Sequence, residues 1–151
     1  MHRTLPVQVA DYVGPVIGAL VFIFLMSIPK ESARRNFNAL FVAGAMGAYI
    51  SGGLGLWELI FAALGIAVAY QGLRSFRFVG IAWLMHCGWD LAHHFFANPI
   101  WPFMETSSFG CFVFDAVIAM WFFAGAPSWL AALRSRVSAA QRSRAGSKAL
   151  G

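Results

Sequence analysis

His86, Asp90, His93 and His94 stand inside a run of sequence that is otherwise apolar. Imidazole and carboxylate groups are the side chains that both ligate transition metals and pass protons. Their spacing is helical. A helix turning about 100° per residue puts Asp90 about 40° from His86, His93 about 20° to the other side and His94 about 80° round. Three of the four therefore share a narrow stripe, with His94 at its margin. In an apolar surrounding, such a stripe is expected to face the inside of a bundle, where its members find partners.

Metal binding is the first chemistry this set suggests. Mixed imidazole and carboxylate ligands suit zinc, iron or manganese. Residues three or four apart share a helix face, so Asp90 can share an ion with His86, His93 or His94. His86 and His93 lie about 10 Å apart along a helix axis, which strains joint ligation of one ion. Asp90-x-x-His93 is a single, shorter analogue of the Glu-x-x-His pairs that build di-iron centres. A centre of that type needs a second chain, or Glu58 and Asp115. The second chemistry is a proton relay, and the plainest alternative is polar pairing that only fixes helix packing.

The elements that must carry these residues follow from composition. The 151 residues are 60% hydrophobic and 11% charged, against roughly 45–50% and about 25% in a soluble domain. The aromatic share is 16%, and aromatic rings favour membrane interfaces. An integral, all-α membrane bundle is expected. Crossing the hydrocarbon takes about 20 apolar residues, and five stretches qualify: 8–28, 36–53, 55–73, 78–97 and 108–126. The apolar run from Phe37 to Leu73 exceeds one crossing, so Ser51-Gly52-Gly53-Leu54-Gly55 is read as a hairpin turn. Val13 to Ile28 precedes Pro29-Lys30-Glu31 and Arg34-Arg35 and reads as a retained helix rather than a cleaved signal.

Basic residues test the number of spans. Lys30, Arg34 and Arg35 follow the first, Arg74 and Arg77 the third, and Arg134, Arg136, Arg142, Arg144 and Lys148 the fifth. Five spans put all three groups on one side. That side is cytoplasmic by the positive-inside bias, so the N-terminus lies outside and the C-terminus inside. Asp90 and Asp115 then each sit about 10 Å below the outer surface on neighbouring antiparallel helices. Glu58, near the outer start of the third span, falls close to the level of His93 and His94. The expected ligands are His86, Asp90, His93 and His94, with Asp115 or Glu58 as a further ligand or general base.

Other features read more plainly. Ala43, Gly44, Gly47, Ala48 and Ser51 form a small-residue stripe for close helix packing, within the bundle or between subunits of a homo-oligomer. Residues 1–127 form the transmembrane domain and 128–151 a basic cytoplasmic tail. Trp129, Leu130, Leu133 and Val137 recur at helical spacing in that tail, as in a short amphipathic helix on the inner bilayer surface. Gln141 to Gly151 is polar and expected to be disordered. The basic residues serve orientation and contact with anionic lipid, so no nucleic-acid partner is expected. Cys87 and Cys111 are expected unpaired, with Cys111 an outside candidate for a ligand, because their depths differ by more than a disulfide allows. Ser107 and Ser108 read as caps of the fifth helix. Asp11, Glu105 and His2 read as solvated. No nucleophile constellation, glycine-rich phosphate loop or His-Glu-x-x-His pattern is present.

The run Trp83, His86, Trp89-Asp90, His93-His94, Asn98-Pro99, Trp101-Pro102, Ser107-Ser108-Phe109-Gly110-Cys111 and Asp115 resembles a family of small uncharacterised membrane proteins, chiefly bacterial. About a fifth of the chain carries that resemblance. It implies a multi-pass protein of a bacterial inner membrane and no activity, cofactor or catalytic role. The function expected from the residues is a metal-dependent membrane protein, in one form an enzyme acting on a lipid-soluble or small extracytoplasmic substrate. Its rivals are a proton-coupled transporter or channel component and a non-catalytic assembly subunit.

Overall fold

A computed structural model describes residues 6–50, 53–96 and 98–149 of the chain. His2, Ser51 and Gly52, to which the sequence assigns roles, lie outside them. The described chain is all-α, with six helices and no strand: α1 (Val9–Met26), α2 (Glu31–Ala45), α3 (Leu56–Gly72), α4 (Phe76–Phe95), α5 (Ser107–Phe123) and α6 (Trp129–Ala149). By length and composition α1 is able to cross a membrane, while α3 and α5 are shorter apolar helices.

The helix ends follow local chemistry. The Gln8 amide donates to Asp11 Oδ2 at 2.8 Å where α1 begins. Ser75 opens α4 by accepting from the Arg77 amide. α5 closes in a Schellman turn: Ala126 N donates to Trp121 O and Gly125 N to Phe122 O, with Gly125 at φ +84°, and Pro127 stops the helix. The α2–α3 hairpin turns through Gly55, at φ +60°.

α4 is the central element, packed against α2, α3 and α5, while α1 lies against α5. Small residues let these helices close up. A Cβ on Gly80 would stand 3.3 Å from the Ala119 carbonyl and from Phe122 Cβ, and one on Gly72 would stand 2.9 Å from Val79 Cγ2. The apolar core, including Val42, Met46, Val79, Trp83, Ile118 and Phe122, fills the bundle between its polar layer and the end where α1, α3 and α5 finish. The three basic connections meet at that end, where they line adjoining clefts.

Two expectations are corrected, and a third, the small-residue stripe, is narrowed. The second helix stops at Ala45 rather than near residue 53, and i→i−3 hydrogen bonds carry the chain in turns to Ile50. Gly44 and Gly47 weaken the helix there, and the tighter turn leaves the Ala45 carbonyl a lone pair for a side chain. Within the single chain, Gly44 and Ala48 face outward; the inward face is Ala39, Val42, Met46 and Tyr49. The tail is helical from Trp129 to Ala149, which takes in residues 141–149 of the segment expected to be disordered. Alanine, arginine and lysine are strong helix formers and no proline interrupts them.

Candidate metal centre

α4 turns His86, Asp90, His93 and His94 inward, and all four are buried. The three aligned by the helical wheel point into one polar layer, as expected of a stripe that needs partners. Asp115 from α5 meets them, placing its Oδ2 2.7 Å from His86 Nδ1, while Asp90 Oδ2 lies 3.1 Å from the same nitrogen. A donor atom from each of the three lies within 4.8 Å of the others. The other ring nitrogen, Nε2, donates to the Ala45 carbonyl at 2.9 Å. That bond fixes the ring and leaves Nδ1 facing two carboxylates, so a hydrogen or a cation must sit between them. A ligating histidine held by a backbone carbonyl through its far N–H is the usual support of a metal site.

Glu58 and His93 form a separate pair. His93 Nε2 lies 3.1 Å from Glu58 Oε1, and Asn98 Nδ2 donates to His93 Nδ1 at 2.8 Å. Accepting at Nδ1 puts the proton of a neutral ring on Nε2, aimed at Glu58. Glu58 also accepts from the Trp89 indole at 2.9 Å and from the Leu54 amide at 3.2 Å. Both members are thus occupied by protein partners. The long axial separation of His86 and His93 keeps the two histidines in different groups. His94 joins neither: its ring packs 5.2 Å from Phe109, and its buried Nδ1 has no hydrogen-bond partner.

Tyr49, which the sequence does not single out, links the two groups. Its ring stacks on His93 at 3.7 Å and 11°, and its hydroxyl donates to Asp90 Oδ1 at 2.7 Å. The same hydroxyl lies 3.1 Å from Ser108 Oγ. The available signal was its spacing, three and seven residues beyond Met46 and Val42, which puts it on the inward side of the turns that follow α2. Asn98 belongs to the quoted motif, but nothing in its spacing points to His93.

Ser107 and Ser108 do not cap α5. They are its first two residues, and their hydroxyls accept from the Trp101 and Ile100 amides at 3.0 and 3.1 Å, while Ser108 also donates to the Asn98 carbonyl. They pin the loop that precedes the helix, because an inward hydroxyl on the first turn reaches that loop more easily than its own amides. Asp11 accepts from Thr106 Oγ1 at 2.7 Å and so ties α1 to the same loop, while Glu105 is exposed. Both cysteines are free. Cys87 donates to the Phe112 carbonyl, and Cys111 lines a small apolar cleft with Pro15, Trp101 and Phe114.

The trio can hold an ion on grounds of distance and charge. With bonds of about 2.1 Å, neighbouring ligand atoms around a transition metal stand roughly 3.0–3.4 Å apart. The His86–Asp115 separation of 2.7 Å needs to open by only a few tenths of an ångström, the His86–Asp90 separation of 3.1 Å already fits, and donor oxygens of Asp90 and Asp115 lie within 4.8 Å of each other. Two carboxylates and a neutral imidazole also neutralise a divalent cation, which suits a site shut off from water.

A family model described as "Family of unknown function (DUF6010)" matches residues 10–128. No curated protein and no solved structure matches the chain.

Proposed function

The chain belongs to the DUF6010 family, whose function is unknown, and on that premise we propose that it is a five-span membrane protein whose polar centre holds one divalent transition-metal ion. His86 Nδ1, Asp90 and Asp115 are the ligands in this reading, and Glu58, His93 and Tyr49 are the frame around them. The observation that carries it is a single buried imidazole nitrogen facing two carboxylates, with its far N–H tied to Ala45. An ion bound there supplies a Lewis acid, and zinc, iron or manganese fits the donor types.

The distribution of polarity supports the membrane placement. Glu58, Asp90, Asp115, three histidines and the Tyr49 and Ser108 hydroxyls are buried, while Leu20, Phe24, Leu40, Leu56, Leu64, Leu84 and Met120 stand at the surface of α1 to α5. A protein in water favours the reverse, and lipid is the solvent that suits this one. The three basic connections at one end make that end cytoplasmic, with the metal centre nearer the other face, in a bacterial inner membrane.

Elemental analysis of the purified protein tests the centre. One equivalent of metal is expected in the wild type and in His93→Ala, and none above background in His86→Ala or Asp115→Asn. Equal background metal in all four removes the reading.

A second reading rests on one observation: Tyr49, Asp90, His86 and Asp115 form a file of hydrogen-bonding groups, with Ser108 Oγ 3.1 Å from the Tyr49 hydroxyl. Such files carry protons in membrane proteins. Proton flux in proteoliposomes that disappears in Asp90→Asn favours this relay over a metal centre, and flux no greater than in empty vesicles excludes it.

A further inference from the structure

At the opposite end of the bundle α2 buries a second polar group, one that the metal centre does not use. Arg34 is 4% exposed, yet among the described residues none of the ion pairs within 4.0 Å involves it. Its Nη1 donates to the Met26 and Pro29 carbonyls over long 3.4 Å contacts. Its Nε is buried with no hydrogen-bond partner. The guanidinium lies over Phe76 and Trp121, 5.5 and 5.9 Å from the ring centroids, which stabilises a cation without neutralising it. A buried charge of this kind is costly unless an anion meets it.

Arg34 lines a cleft of about 360 Å³ between the α1–α2 and α5–α6 connections, together with Lys30, Arg134 and Ser128. A neighbouring cleft of about 520 Å³ is lined by Arg35, Arg74 and Arg77. Glu31 is the one carboxylate in the two linings. Six cations facing a single acid, one of them buried and incompletely bonded, describe a receptor short of an anion. Guanidinium groups match the oxygens of phosphate.

We infer that the Arg34 cleft binds a phosphate-bearing anion, with Arg34 as its fixed donor and Lys30 and Arg134 closing over it from the rim. Exposed Ile28, Trp129 and Leu133 flank the same end and suit the acyl chains of an anionic phospholipid. A soluble phosphate offers the same chemistry to the same donors.

The test is thermal unfolding of the full-length protein in an uncharged detergent, titrated with phosphatidylglycerol, with phosphatidylcholine, or with sodium phosphate at constant ionic strength. Arg34→Gln removes a buried group and endangers folding. The exposed pair Lys30→Gln/Arg134→Gln therefore carries the comparison. Phosphatidylglycerol is expected to raise the midpoint saturably and phosphatidylcholine to leave it unchanged. The double variant should bind about 30-fold more weakly, two basic contacts at the strength each Lys or Arg contributes to an anionic surface. A shift with phosphatidylglycerol alone identifies a lipid headgroup, and a matching shift with sodium phosphate identifies a soluble ligand. No shift with either, an equal shift with phosphatidylcholine, or a double variant that titrates like the wild type overturns the inference.

Discussion

His86 shows how one side chain can organise a centre, because its two nitrogens have different tasks. Nε2 is spent on the Ala45 carbonyl, and Nδ1 is thereby presented to Asp90 and Asp115. The wheel made the inward stripe of α4 legible, since a fixed turn per residue orders side chains without knowledge of their partners. It could not show that Glu58 and His93 would satisfy each other, or that His94 would pack on Phe109 with neither group. Tyr49 escaped notice because its role is created by the stack on His93 and by Asp90, both more than 40 positions along the chain. Tyr49→Phe keeps the stack and removes the hydroxyl. Asp90 Oδ1 then loses a buried donor, at a cost of about 1–3 kcal/mol. A lower unfolding midpoint is expected, with metal content per folded chain unchanged. A variant that melts with the wild type shows that the hydroxyl contributes nothing there.

Among the elements, α4 decides the architecture by needing partners on three sides. Its polar residues meet the α2 end, α3 and α5, and Gly80 admits the α5 backbone at Ala119. The sequence marked small residues on the second helix as a close-packing face, yet in the single chain a Cβ on Gly44 would meet nothing within 4 Å, while one on Gly80 would be crowded by α5. Small residues permit close approach, and which helix arrives is a property of the whole bundle. The contrast yields a paired prediction. Gly80→Leu should overpack the α4–α5 contact and lower stability by about 1–3 kcal/mol or more. Gly44→Leu should leave the melting of the single chain unchanged. Thermal unfolding with size-exclusion chromatography reads both, and if Gly44→Leu breaks an oligomer, the outward stripe is a subunit contact. A Gly80→Leu protein that melts like the wild type contradicts the close approach.

Among the described residues of α1 to α5, many large apolar side chains lie outward while His86, Asp90, His93, Glu58 and Asp115 lie inward, and the basic connections gather at one end. The five-span reading predicts that end to be cytoplasmic. A fluorescent protein fused after Gly151 should therefore glow in a bacterial host, and alkaline phosphatase at the same place should stay inactive. The reverse pattern sinks the proposed orientation. The apolar stretches of helical length were enough to anticipate an all-α chain, because their extent and spacing are written in the local sequence. Periodicity was enough to place His86, Asp90 and His93 on one inward face. Only the folded chain could say that Asp115 completes a trio with His86 and Asp90, that Ala45 orients the imidazole and that Arg34 is buried with no ion pair within 4.0 Å among the described residues. Each of these joins residues far apart in the chain, and such contacts depend on how helices pack, which local periodicity does not encode.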